Sequence, residues 1–127
     1  MTDRVRSAYE AFQEGLRLLE GASPHAAIVA LERARELEPD KGSIRETLGR
    51  AYFRAGQFVA ARDEFARAVE LDPVNDYALF GLGLCLLRQG DAVGSRRHLK
   101  LAVAMRPEMA AYRDALSEAG GDEGATE

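Results

Sequence analysis

Apolar positions recur along this chain every three or four residues, in short stripes that break at polar or glycine-containing segments and then resume. Ile44, Leu48, Ala51 and Tyr52 make one stripe, RAGQ interrupts it, and Ala61, Phe65, Ala68, Val69 and Leu71 make the next. Such spacing places the apolar side chains on one helical face, so each stripe predicts an amphipathic helix and each break a turn. Ser23, before Pro24, and Asp91 suit the N-caps of two of these helices, whereas Gln57 in the matching place is a poor cap. Gly56 and Gly90 suit turns that need left-handed backbone. The most apolar run, ALFGLGLCLLRQG from Ala78 to Gly90, is shorter than the roughly 20 residues of a membrane span. It is no dinucleotide loop either, because Leu86 stands where the third glycine after Gly81 and Gly83 belongs. A helix buried on more than one side remains.

The stripes repeat. Pro39, Pro73 and Pro107 are 34 residues apart, and five further columns keep that period: Gly15, Gly49, Gly83; Leu18, Tyr52, Leu86; Ala27, Ala61, Ser95; Leu31, Phe65, Leu99; and Ala34, Ala68, Ala102. A period of this length marks a stacked array in which each unit buries its apolar face against the next. Each unit contains two helices, and the proline closing it is expected in the first turn of the following helix. The glycine column lies in mid-helix, where glycine costs roughly 1 kcal/mol relative to alanine. Close approach of the partner helix at Ala27, Ala61 or Ser95 is the expected compensation, with Tyr52 and Phe65 filling the adjoining space.

The spaced set Leu48, Gly49, Tyr52, Ala61, Phe65, Ala68 and Pro73, with counterparts 34 residues either side, resembles the tetratricopeptide repeat. The resemblance implies an all-α fold, a right-handed superhelix of about seven antiparallel helices, with the first helix of each pair lining a concave groove. The units are expected at 8–41, 42–75 and 76–109, followed by a capping helix at about 108–119, all in one domain spanning 1–119. Glu14 departs from the pattern, standing where Leu48 and Leu82 stand later. The acidic tail, 120–127, is expected to be disordered.

Composition narrows the function. The chain carries a net charge of −4, and its last ten residues hold four acidic and no basic residues, which leaves the body neutral. Neither a nucleic-acid footprint nor a polybasic membrane signal is present. The opening MTDRVRSAYE has no apolar signal core, and the single Cys85 can form no internal disulfide, so a cytoplasmic protein is expected; only Lys41 and Lys100 of the 17 basic residues are lysine, which suits a GC-rich bacterial genome.

Candidate chemistry is sparse. Asp91, Ser95 and His98 share a helical face, yet Ser95 occupies a packing column and no oxyanion hole is nearby. Cap, packing residue and surface histidine are their expected roles. Two histidines and one cysteine on different helices give no metal-ligand spacing. The cluster Arg96, Arg97, His98 and Lys100 suits a solvated outer face more than a docking patch. Cys85 is expected to be a small core residue rather than a reactive thiol. No enzyme activity, catalytic residue, metal or cofactor is expected.

Function then falls to the groove, and the resemblance implies its lining. Tyr9, Phe12, Leu16 and Leu19 come from the first unit; Ser43, Glu46, Arg50, Phe53 and Arg54 from the second; Tyr77, Phe80, Leu84, Leu87 and Arg88 from the third. Family members that hold the terminal carboxylate of chaperone tails use lysine, asparagine and arginine, where this chain has Phe12, Leu16, Thr47, Tyr77 and Gly81. An apolar or amphipathic peptide with an acidic group facing the arginines is therefore the expected ligand of a non-enzymatic adaptor. Net charge also runs from −3 through 0 to +2 across the three units. That gradient suits a homo-oligomeric, head-to-tail scaffold as the alternative, with a small chaperone-like protein as a third reading.

Overall fold

In the computed structural model, which describes residues 2–121, seven helices follow one another: α1 (Asp3–Glu20), α2 (Pro24–Leu37), α3 (Gly42–Arg54), α4 (Phe58–Leu71), α5 (Asp76–Arg88), α6 (Ala92–Met105) and α7 (Ala110–Glu118). They pair as α1 with α2, α3 with α4 and α5 with α6, each pair packs on the next, and α7 lies against α6. Of the tail expected to be disordered, 120–127, Gly120 and Gly121 instead form a hydrogen-bonded turn, and 122–127 lie outside the described residues.

The turns inside the pairs share one design. Gly56 and Gly90 have φ of 79° and 86°, and Ala22 takes the same left-handed conformation at 62°. In each turn the amide two residues after the helix cap donates back to the carbonyl of Leu18, Tyr52 or Leu86, which closes the helix end. The chain repeats the device after α7, where Gly120 has φ 84° and the Gly121 amide donates to Leu116. Caps follow side-chain chemistry less evenly. Thr2, Asn75 and Asp91 accept from the amides of Val5, Ala78 and Gly94, whereas Ser23 occupies its N-cap position without a side-chain bond.

Two sequence expectations are corrected by the backbone. Pro39, Pro73 and Pro107 lie in the turns, ahead of the helices, and only Pro24 occupies a first helical turn. The glycine column packs chiefly beneath Leu31, Phe65 and Leu99, and in the third unit against the expected Ser95 as well: a methyl at Gly15 would lie 2.5 Å from Leu31, at Gly49 3.0 Å from Phe65, and at Gly83 2.7 Å from Leu99 and 3.3 Å from the Ser95 carbonyl. The reason is reach. Residues four further along the second helix carry branched or aromatic side chains that lie over the glycine, and the fully buried alanines behind them let the helices close. Gly81 serves the same end between units, since its methyl would lie 2.5 Å from the Phe65 ring.

The core is continuous from Leu19 and Leu31 through Leu48, Tyr52 and Phe65 to Leu82 and Cys85, with the cap sealing Leu99 beneath Ala115 and Leu116. Glu14 is exposed and paired with Arg17, because no described helix packs against the face of α1 that Leu48 and Leu82 use on α3 and α5.

Candidate functional site

The concave face divides at α3. On the side toward α5, Arg50, Phe53 and Arg54 face Phe65, Tyr77, Phe80, Gly81 and Leu84 across a cavity of about 280 Å³. Phe53 stacks edge-on with Phe58, at 5.0 Å between centroids, and the Arg88 guanidinium lies 5.8 Å from its ring. Tyr77 is edge-on to Phe65 at 6.3 Å and tilted to Phe80 at 6.0 Å. Burial pushes the Tyr77 phenol up from its ordinary pKa, and the neighbouring Arg50 opposes that shift.

Two cations stand in this apolar setting without acids of their own. Among the described residues, no carboxylate lies within ion-pair distance of Arg50 or Arg54, and Arg50 Nε is buried with no hydrogen-bond partner. Arg54 donates to the Leu19 carbonyl at 3.2 Å. The nearby acids are engaged elsewhere: Glu46 accepts from Asn75 at 2.8 Å, and Glu118 of α7 pairs with Arg88 at 3.5 Å.

On the side toward α1, Tyr9 and Phe12 line a smaller cavity with Val5, Ala8 and Ile44, and Leu16 is half-buried further along α1. Leu19 is not a groove residue, being 1% exposed and packed in the core. Its column continues as Phe53, which lines the cavity, and Leu87, which is half-buried against the cluster of Leu99, Ala115, Leu116 and Ala119; Leu19 alone of the three lies wholly buried, beneath the end of α3. Phe80 and Leu84 pack partly against that same cluster, and Phe80 lies 4.7 Å from the Tyr112 ring. The apolar second stripe of α5 is thus shared between groove and cap, a role that the 34-residue period could not reveal because α7 lacks a complete unit around it. Ser43 is exposed at the start of α3.

The residues considered for catalysis have structural work. Asp91 caps α6, Ser95 Oγ donates to the Gly83 carbonyl at 2.8 Å, and His98 Nδ1 lies 2.9 Å from the Gly94 carbonyl. Arg96 donates to the Ala119 carbonyl at the end of α7, where a cation also meets the helix dipole. Burial pushes the Cys85 thiol up to about 12, which leaves it protonated and unreactive at neutral pH. Among the described residues no cluster of histidine, cysteine or carboxylate groups could hold a metal ion, and no helix is long and apolar enough to cross a membrane.

Antiparallel helix pairs with a recurring small-residue seam, a concave face and a capping helix define an α-solenoid of the kind that presents a groove to other proteins. The chain belongs to the tetratricopeptide repeat family, whose model matches residues 12–76 and 47–110. It is 34% identical over 80 residues to a cellulose synthase operon protein C of Komagataeibacter xylinus, a stretch covering 62% of this chain and 6% of that protein. A CTR9 homolog protein of Arabidopsis thaliana is 34% identical over 67 residues, 52% of this chain and 6% of that one. The chain therefore spans only a small fraction of these relatives.

Among solved structures, the first tetratricopeptide domain of Spaghetti (RPAP3), bound to an HSP90 peptide, superposes with a TM-score of 0.87 at 15% identity, covering 95% of this chain and 96% of that one. YrrB, described as having an unusual peptide-binding site, gives 0.81 at 22% identity over 87% of this chain and 57% of that one. These likenesses show the fold: all-α, a right-handed superhelix of seven helices within the described residues.

Proposed function

We propose that this chain is a non-catalytic binding module that takes an apolar or amphipathic peptide segment into its concave groove, with an acidic group of the peptide held by Arg50 and Arg54. One observation carries the reading: two arginines without acidic partners, one with a buried and unbonded Nε, line an aromatic cavity between α3 and α5. A buried donor without a partner costs on the order of 1–3 kcal/mol, which a ligand oxygen placed there would recover. Guanidinium groups also suit the planar geometry of a carboxylate.

The ligand differs in kind from a chaperone tail held by a polar clamp. At the clamp positions, Thr47 is buried and donates to the Ser43 carbonyl, Gly81 lies beneath the Phe65 ring, and Phe12 and Tyr77 are aromatic. Random peptides displayed on phage and selected on the immobilised protein test the groove. Selected peptides should lose most of their binding to an Arg50→Gln/Arg54→Gln variant whose melting temperature is unchanged. Equal capture by both proteins would overturn the reading.

The charge gradient along the units, −3 to +2, favours one second reading, a head-to-tail assembly of copies. Sedimentation at low and high salt tests it, with association expected to weaken as salt rises. A monomer under every condition would remove it.

A further inference from the structure

The cavity at Arg50 and Arg54 accounts for one flank of α3. On its other flank, Val5, Ala8, Tyr9 and Phe12 of α1 face Ile44 across an apolar pit of about 190 Å³, with Glu38 and Lys41 at the margin. Ile44 closes the floor, while Tyr9 is 59% exposed at the mouth. The pit offers no unpaired buried cation and suits an apolar side chain; the cavity offers two guanidinium groups and suits an acid.

We infer that the partner presents two anchors on one extended segment: a large apolar side chain seated in the α1/α3 pit, and an Asp or Glu about four residues away held between Arg50 and Arg54. This rests on the groove reading above and deepens it. The spacing follows from α3 itself. Ile44 in the pit and the midpoint of Arg50 and Arg54 in the cavity are eight residues apart on α3, about 12 Å along the axis. The pit lies between α1 and α3 and the cavity between α3 and α5, so their centres also differ sideways by about one interhelix spacing, roughly 8–10 Å. The combined separation of about 15 Å is four to five residues of extended chain at about 3.3 Å each. A helical ligand with the same sequence spacing advances only about 6 Å and cannot reach both.

Charge complementarity decides which anchor goes where. Arg50 and Arg54 are one helical turn apart, where like charges repel, and a carboxylate between them relieves that repulsion. Neither Glu46 nor Glu118 serves, because Asn75 and Arg88 hold them. An acid in the pit would meet apolar carbon on its floor and, at the margin, Lys41 offset by the neighbouring Glu38, against two guanidinium groups in the cavity.

Fluorescent peptides of about twelve residues, with a Gly/Ser background carrying one Phe and one Glu, read the inference directly by anisotropy. With the Phe and Glu four positions apart, binding should be about tenfold tighter than with them adjacent or eight apart. A Tyr9→Asp variant should remove the benefit of the Phe, and Arg50→Gln that of the Glu, each with an unchanged melting temperature. Affinity independent of spacing yet lost in Arg50→Gln would overturn the two-anchor arrangement and leave the groove reading standing. Binding indifferent to both variants would overturn both. No binding by any peptide of the series would overturn the two-anchor inference, with the phage selection then deciding on the groove.

Discussion

The joint between the first and second units and the joint between the second and third occupy the same columns with opposite chemistry. In the first joint, Glu32 of α2 bonds Tyr52 of α3, and Arg35 of α2 and Arg45 of α3 share Glu64; in the second, the columns 34 residues on hold Ala66 and Val69 of α4 and Leu79 and Leu86 of α5, packed in the core clusters. The first is a bonded polar set. Glu64 of α4, buried, accepts from Arg45 at 3.0 Å and from Arg35, and Tyr52 Oη donates to Glu32. The second is packed from hydrocarbon and rings, with Phe65 against Gly81 and Tyr77. A repeat interface therefore accepts either a polar set whose members are all paired or an apolar one, and a half-paired set is the arrangement that fails.

The largest effect should come from the apolar joint. Phe65 lies over Gly49 in its own unit and over Gly81 in the next, so Phe65→Ala removes packing from two interfaces at once. A loss of about 3–5 kcal/mol in urea unfolding is expected, exceeding that of Leu31→Ala or Leu99→Ala, each of which packs over a single glycine. Equal losses at the three positions would show that the second joint has no special dependence on the ring.

The polar joint should break differently. Glu64→Gln removes the charge that Arg35 and Arg45 share, and a loss of about 2 kcal/mol is expected, below the range for fully buried pairs because Arg35 is partly exposed. Replacing the whole set by its counterparts, Glu32→Ala, Arg35→Val, Arg45→Leu, Tyr52→Leu and Glu64→His, should return stability to within about 1 kcal/mol of the wild type. A quintuple variant no better than Glu64→Gln would mean that the two joints are not interchangeable.

This contrast also explains what the sequence made legible. The period, the helix pairs and the glycine, alanine and proline columns were readable because they are steric requirements that every unit repeats. The polar joint was not, since Glu32, Arg35, Arg45 and Glu64 look like surface charges until α2, α3 and α4 bring them together. In the groove, Arg50, Phe53, Arg54, Tyr77, Phe80 and Leu84 were legible and do converge on one cavity. Leu19 was misplaced because the end of α3 covers it, while Phe53, its counterpart one unit on, lines the cavity; position within one unit does not express that difference. Leu87 is half-buried against the cap cluster, as Phe80 and Leu84 are, but does not line the cavity.

Alkaline pH should separate the joints next. Burial and the bond to Glu32 push the Tyr52 phenol up to about 12, from an ordinary 10. Above pH 10 the unfolded chain then releases this proton while the folded chain retains it, so stability falls as pH rises from 10 toward 12 and is untouched below 10. Tyr112, whose phenol burial and Asp76 also raise, adds a similar fall at the cap. Tyr52→Phe should therefore flatten part of the alkaline decline and leave the remainder. An unchanged slope in that variant would remove Tyr52 from the account.

The smallest effect concerns the turns that set each pair of helices before the joints form. Ala22, Gly56 and Gly90 all adopt positive φ, at 62°, 79° and 86°, yet only Ala22 carries a Cβ. A left-handed conformation costs a residue with a Cβ roughly 1–2 kcal/mol, a cost that glycine avoids while gaining entropy in the unfolded chain. Ala22→Gly should thus stabilise the protein by about 0.5–1 kcal/mol, and Gly90→Ala should destabilise it by a similar amount, because a methyl at Gly90 meets open space and leaves only strain in φ set against the unfolded-chain entropy. If thermal unfolding shows Ala22→Gly to be destabilising, the first turn is held by more than its backbone geometry. Its neighbour Ser23 makes no cap bond that could supply the difference, so the added support would have to come from the Ser23 amide bonded to Leu18 and the packing of α1 on α2.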